Sequence, residues 1–273
     1  MTTLDRLGLV GTTVSGKYDV EGVVDEGGFS LIYRAVHRIW KQPVALKCFK
    51  LGSRLAPEKR AALLDDFIRE GALLSELSRR SAAIVQARDV GTLTTAGGEQ
   101  IAYLVLEWLD GSSLEKMLKR EGASSAGEPF AAPWSQRRLM RVLEPVASAL
   151  DIVHRQGIAH RDVKPANIFV TGELDGEDMF VKVLDFGIAK VVGSAEYDIS
   201  FARTQGEVTS FTPRYGAPEQ FSRARGATGP WTDVYALALV FSELVSGKPA
   251  LAGGDFIQFG VASADPGHRP TPR

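Results

Sequence analysis

Cysteine and asparagine each occur once in the 273 residues, as Cys48 and Asn167. A single cysteine excludes an internal disulfide framework and fits a reducing compartment. Charge of one sign is also missing. Thirty-two Lys and Arg stand against 33 Asp and Glu, a net charge of −1, so the basic footprint that nucleic acid requires is absent. No apolar run reaches membrane length. The most apolar one, VYALALVFSELV at 234–245, is roughly half a span and contains Glu243, so it reads as a buried helix. The opening MTTLDRLGLVG lacks the basic start and long apolar core of a secretory signal. There is no internal repeat. A cytoplasmic chain without a membrane segment or a nucleic-acid partner is expected.

Composition is that of a soluble globular protein, 44% hydrophobic and 24% charged. The length allows two domains or one two-lobed unit. Residues 18–50 alternate apolar and polar in three short runs, YDVEGVV, SLIYRAV and PVALKCF, a strand pattern with tight turns. PEKRAALLDDFIREGALLSEL at 57–77 spaces its apolar residues as a helix does, with Pro57 at the first position. IAYLVLEWL at 101–109 reads as a buried strand. The character changes near residue 110. A loop of small residues and proline at 124–133 precedes a helix that Ser135 can cap and that runs to Gly157, with Pro145 expected to kink or weaken it. Strands early and helices late predict an α+β fold in two lobes, and a cleft between lobes is a favoured ligand site.

Several short stretches carry chemistry. VVDEGGFSLIY at 23–33 puts glycines at a strand turn, where backbone amides can approach a phosphate. VALK ends a strand in Lys47, and Glu70 lies on the first helix. HRDVKPANIF at 160–169 gathers Asp162, Lys164 and Asn167 within six positions, and Pro165 disfavours a helix interior there. VKVLDFGIAK ends an apolar strand in Asp185, Phe186 and Gly187, and TPRYGAPEQF follows at 212–221. Each has a plain alternative when taken alone: a hairpin turn, a snorkelling lysine, a solvated glutamate, an aspartate that forms a turn. A chance match to His-Arg-Asp-x-x-x-x-Asn is on the order of one in a thousand for such a chain.

In their order, these stretches resemble the protein-kinase signature set, from glycine loop through strand lysine, helix glutamate, HRD loop and DFG to APE. The resemblance runs from about residue 18 onward. Lys164 and the APEQF style are similar to the bacterial, eukaryotic-like Ser/Thr branch. It implies a small antiparallel β-sheet N-lobe with one long helix at 18–109, after an N-terminal leader at 1–17. A mainly helical C-lobe would fill 110–273. It implies ATP and Mg²⁺, with Mn²⁺ as the alternative ion. By resemblance, Asp162 takes the proton of the substrate hydroxyl and Lys164 offsets charge on the moving phosphoryl group. Lys47, oriented by Glu70, holds the α and β phosphates. Asn167 and Asp185 are the metal ligands. Gly27 and Gly28 approach the phosphates. Ile32, Ala45 and Phe169 enclose the adenine, Glu107 and Leu109 offer backbone hydrogen bonds, and Leu106 is the gatekeeper. Thr212 contacts the catalytic loop, Tyr215 and Glu219 shape the substrate platform, and Asp233 braces the HRD backbone. Arg161 would pair with a phosphate on Ser200, Thr204, Thr209 or Ser210. Protein substrates are implied, with a homodimer for trans-autophosphorylation as a candidate assembly.

The sequence departs from the pattern in three places. Asp25 and Ser30 stand at the first and third glycine positions of the loop, which predicts weakened ATP binding. SAAIV at 81–85 replaces the usual linker after the helix. Only 40 residues follow Asp233, so the C-lobe is expected to lack its last helices. The alternative to an active Ser/Thr kinase is a pseudokinase or inactive fragment that binds nucleotide or protein.

Overall fold

The computed structural model describes residues 4–26, 30–49, 57–98, 100–124, 134–174, 176–186, 211–265 and 267, with backbone alone at 57–64, 66, 70, 122–124 and 223. The chain divides into two compact units: residues 1–80 with 85–109, and residues 81–84 with 110–273.

Alternation of apolar and polar side chains builds the first unit. Strands β1 (Thr13–Val14), β2 (Tyr18–Glu26), β3 (Ser30–His37), β4 (Pro43–Phe49), β5 (Ala87–Thr94) and β6 (Gln100–Glu107) form one antiparallel sheet in the order β1-β2-β3-β4-β6-β5. Period-two geometry sends Leu31, Tyr33 and Ala35 of β3 and Val44, Leu46 and Cys48 of β4 to one face, where they form a core with Ile101, Tyr103 and Val105. Burial pushes the Cys48 thiol up to about 12. Helix α1 (Pro57–Ser78) covers part of the opposite face with Phe67, Leu74 and Leu77. Gly71 leaves room there for Leu104 and Val90, and Phe67 meets Phe49 edge-on at 4.4 Å. The stretch before Tyr18, expected as a leader, also enters this unit. Leu9 and Val14 are buried in the same core, and Thr13 and Val14 pair with Asp19 and Tyr18.

Helices dominate the second unit: α2 (Leu114–Ser124), α3 (Gln136–His154), the single turn α4 (Pro218–Phe221), α5 (Pro230–Ser246) and α6 (Phe256–Ala264). A small antiparallel sheet joins β7 (Gly111–Ser113), β8 (Ile168–Thr171) and β9 (Phe180–Val183) in that order. Gly111 is required in this sheet, because a Cβ there would run into the Val170 carbonyl. Ser135 caps α3 as expected, its hydroxyl accepting from Arg138 N–H. The helix continues through Pro145, as the spacing predicts, buried along Leu139, Val142, Val146, Leu150 and Val153. Burial of that stripe outweighs the one hydrogen bond lost at the proline. Residues 81–84 pack into this unit rather than the first, with Ile84 bridged to Val183 and Val183 N–H donating to Ala83 O at 2.6 Å. The expected buried helix is α5, but only one face is buried. Ala236, Leu239, Val240 and Leu244 are covered, whereas Trp231, Val234 and Phe241 are exposed. Gly247 ends it in the left-handed conformation, φ 70°, donating to Glu243 O.

Candidate active site

The turn around Pro165–Asn167 closes a polar network in the second unit. The Asp162 carboxylate accepts three hydrogen bonds. Thr212 N–H donates to Oδ1 at 3.0 Å, Lys164 Nζ to Oδ2 at 2.8 Å, and Asn167 Nδ2 to Oδ2 at 3.3 Å. Asn167 Nδ2 also donates to Asp162 O at 2.9 Å, and Lys164 Nζ donates to Thr212 Oγ1 at 2.7 Å. With its nitrogen spent on Asp162, the one asparagine of the chain has its carbonyl oxygen left to offer in another direction. The adjacent strand end is tied to the same turn, since Leu184 N–H donates to Asn167 O at 2.8 Å.

A second carboxylate fixes the backbone one residue earlier. Asp233, with its side chain fully buried, accepts from His160 N–H at 2.7 Å and from Arg161 N–H at 2.6 Å. His154 Nε2 donates to the same carboxylate at 2.7 Å. His160 Nδ1 accepts from Asp162 N–H at 3.3 Å, so its Nε2 carries the proton donated to Leu184 O at 2.8 Å. The Phe186 ring lies 4.7 Å from the His160 ring. Two non-glycine residues of this region hold left-handed backbone, Arg161 at φ 63° and Asp185 at φ 52°. Such strain persists where surrounding bonds over-determine it. Burial pulls the Arg161 guanidinium below its ordinary range, with Asp233 opposing.

In the first unit, cross-strand register sets the face opposite the core. Ile32 lies opposite Lys47, and Ala45 opposite Leu106. The Lys47 ammonium sits over the Phe49 ring at 5.2 Å. Glu107 N–H donates to Gln86 O at 3.0 Å, and its carboxylate accepts from Gln86 N–H at 2.9 Å. Leu109 is half-buried at the end of this unit. Asp25, in the loop's first glycine position, turns its carboxylate onto Glu26 N–H at 2.9 Å and is exposed. Phe169, expected near adenine, pairs with Lys182 in the small sheet of the second unit. Gly27, Gly28, Gly187 and the hydroxyls of Ser200, Thr204, Thr209 and Ser210 lie outside the described residues, as does the Glu70 side chain.

Comparison with known proteins decides the family. The profile of the protein kinase domain matches residues 18–260. The chain belongs to the protein kinase family. Serine/threonine-protein kinase PknA of Mycobacterium tuberculosis is 36% identical over 245 residues, covering 89% of this chain and 50% of that protein. Serine/threonine-protein kinase pkn3 of Myxococcus xanthus is 34% identical over 252 residues, 90% of this chain and 41% of that protein. Probable serine/threonine-protein kinase PknB of Corynebacterium glutamicum is 32% identical over 259 residues, 95% and 35% respectively. The chain thus spans half or less of the length of these relatives. The two units are the β-rich and helical lobes of the kinase fold, and membership implies use of ATP and a divalent metal.

The kinase domain also holds contacts that sequence reasoning missed. Gln220 Nε2 donates to Arg161 O at 2.9 Å, and Ala217 N–H donates to Gln220 Oε1 at 3.0 Å, locking α4 to the HRD turn. Tyr215 OH donates to Glu243 Oε2 at 2.7 Å, and Thr232 Oγ1 donates to Glu219 Oε1 at 2.7 Å. Burial raises both partners of the Tyr215–Glu243 pair above their ordinary ranges. The one available signal was Glu243 itself, a lone carboxylate in the most apolar run. Among the described residues no cluster of three or more His, Cys, Asp or Glu forms a metal centre, and no helix is long and apolar enough to cross a membrane.

Proposed function

We propose that this chain is the catalytic domain of a protein serine/threonine kinase that transfers the γ-phosphate of ATP to hydroxyls of proteins, itself included. The observation that carries this reading is the Asp162 network, in which one carboxylate, one ammonium and one amide converge within hydrogen-bonding distance. Phosphoryl transfer passes through a loose transition state, so a protein serves it mainly by positioning and by neutralising charge. Asp162 orients the acceptor hydroxyl and takes its proton, and Lys164 faces the charge of the transferring group. The bond from Lys164 to Thr212 fixes that ammonium and joins the substrate platform to the reacting centre. Lys47 holds the α and β phosphates, Glu70 orients Lys47, and Ile32, Ala45 and Phe169 contact the adenine, with backbone bonds from Glu107 and Leu109. The donor set of Asn167 carbonyl and Asp185 carboxylate suits a hard cation, Mg²⁺ by preference and Mn²⁺ as the alternative. Bound there, the cation would neutralise phosphate charge.

Intact-mass spectrometry after incubation with Mg-ATP tests the proposal, beside an Asp162→Ala control. Gains of about 80 Da per phosphate in the parent alone support the assignment. Equal gains in the control refute Asp162 as the base. No gain in either protein favours the pseudokinase reading, for which the Asp25 and Ser30 replacements in the glycine loop are the motivating feature.

A further inference from the structure

The segment ahead of Tyr18 lies outside the residues matched by the kinase profile, yet it grips the hairpin of β2 and β3 on both arms. Asp5 Oδ1 accepts from Tyr33 OH at 2.7 Å and from Leu9 N–H at 3.2 Å, and its Oδ2 accepts from Val10 N–H at 2.9 Å. Burial alone would raise this carboxyl, but these donors outweigh it and hold it below the usual carboxylate range. Tyr33 is fully buried on β3, and its chain neighbour Ile32 lies on the opposite face, across from Lys47. The second grip is Arg6, which forms an ion pair with Glu26 at 3.4 Å, at the end of β2. The strap therefore holds one residue on each arm of the hairpin whose other face carries the candidate nucleotide contacts.

We propose that Asp5 and Arg6 are positioning residues for the nucleotide, acting through Tyr33 and Glu26 to set the pitch of the β2–β3 hairpin. The proposal rests on the kinase reading. A pre-ordered hairpin loses less freedom when a ligand binds, which offsets part of the affinity that Asp25 and Ser30 in glycine positions are expected to cost. A purely structural strap would bury Leu9 and Val14 and lower the melting temperature when cut, and nothing more.

Titration with a fluorescent ATP analogue, together with KM for ATP and kcat, separates the two roles. Asp5→Asn is expected to weaken nucleotide binding and raise KM about three- to tenfold, with kcat within about twofold of the parent. Arg6→Glu is expected to weaken binding about twofold, as a partly exposed ion pair allows, and the swap Arg6→Glu with Glu26→Arg to restore it. Tyr33→Phe deletes the hydroxyl bonded to Asp5 while leaving the Asp5 bonds to Leu9 and Val10 in place, and serves if Asp5→Asn does not fold. Lower melting temperatures with unchanged nucleotide affinity in these variants overturn the strap's positioning role while leaving the kinase reading standing. A parent chain that binds no nucleotide overturns both.

Discussion

Asp233→Asn tests how the HRD turn is held. The parent carboxylate takes donors from His160 N, Arg161 N and His154 Nε2, all between 2.6 and 2.7 Å, with no solvent to substitute. The asparagine has nearly the same shape but only one acceptor oxygen. Its NH₂ must face one of these donors, which leaves a buried N–H unsatisfied and sets two donors against each other. Removing one charged partner of a buried network costs about 3–5 kcal/mol. For a unit of this size that lowers the melting temperature by roughly 10 °C. The effect on rate follows from strain. Arg161 is held at φ 63°, which costs about 1–2 kcal/mol in a residue with a Cβ, and the bond to its N–H is one restraint that keeps it there. Once released, the backbone relaxes and carries Asp162 with it. A displacement of about 1 Å at a reacting group costs on the order of a hundredfold. The assay is the rate of phosphate incorporation measured well below the variant's melting point, so that unfolding does not contribute, with thermal melts alongside. An Asn variant that melts within about 2 °C of the parent and keeps its rate would refute both the energetics and the positioning argument.

Thr212→Val, which deletes the hydroxyl bonded to Lys164 Nζ, is expected to lower kcat about tenfold with little change in KM for ATP, measured by steady-state kinetics. Ser135→Ala removes the cap of α3 and is expected to cost about 1 kcal/mol in chemical denaturation. Asp5 and Asp89 have folded values below 3.8, the latter because Lys17, Tyr18 and Val90 N–H outweigh burial, so their stabilisation is full above the unfolded value and is lost as pH falls through the lower folded values. Urea midpoints should therefore drop below about pH 4, and the drop should shrink in an Asp5→Asn, Asp89→Asn double variant. Glu243 has the opposite sign. Burial raises its folded value above 4.5, so its charge costs stability increasingly as pH rises through that window, and Glu243→Gln should gain stability relative to the parent at pH 7 but not at pH 4.

Four strands of the first lobe were legible, β2, β3 and β4 by their period and β6 as a continuous apolar run, whereas β1 fell in the expected leader and β5 was not anticipated. Leu31, Tyr33 and Ala35, then Val44, Leu46 and Cys48, alternate as the core requires. The cap at Ser135 was equally local. The helix α5 was recognised, but not its exposed stripe at Trp231, Val234 and Phe241, because a segment apolar on all sides carries no mark of which side packs. The helix around Pro145 was legible too, because the apolar stripe that runs past the proline shows in the spacing. The polar contacts divide in the same way. Asp162, Lys164 and Asn167 lie within six positions of one another, and their convergence could be read from that spacing. The hydrogen bonds Asp5–Tyr33, Gln220–Arg161 and His154–Asp233 close over 28, 59 and 79 residues, and no periodicity links such positions.

Asp162 lies on the short HRD turn, and Asp233 reaches the start of that turn from α5. Three donors converge on Asp162 from the turn and from Thr212, and three on Asp233 from the turn and from α3. A half-satisfied node of this kind would be less stable than an apolar one, and a satisfied node admits few alternative geometries. That rigidity explains how Arg161 and Asp185 keep left-handed backbone that a loose loop would shed. It also bears on why asparagine is kept at position 167 alone. Aspartate there would place a second negative charge beside Asp162 Oδ2, where the amide nitrogen now donates. Alanine would leave Asp162 O without that donor. The amide alone donates to the carboxylate on one side and still presents a neutral oxygen on the other. The proposed phosphoryl transfer, which depends on placement more than on covalent participation, would be served by such a turn, since both oxygens of the Asp162 carboxylate are held.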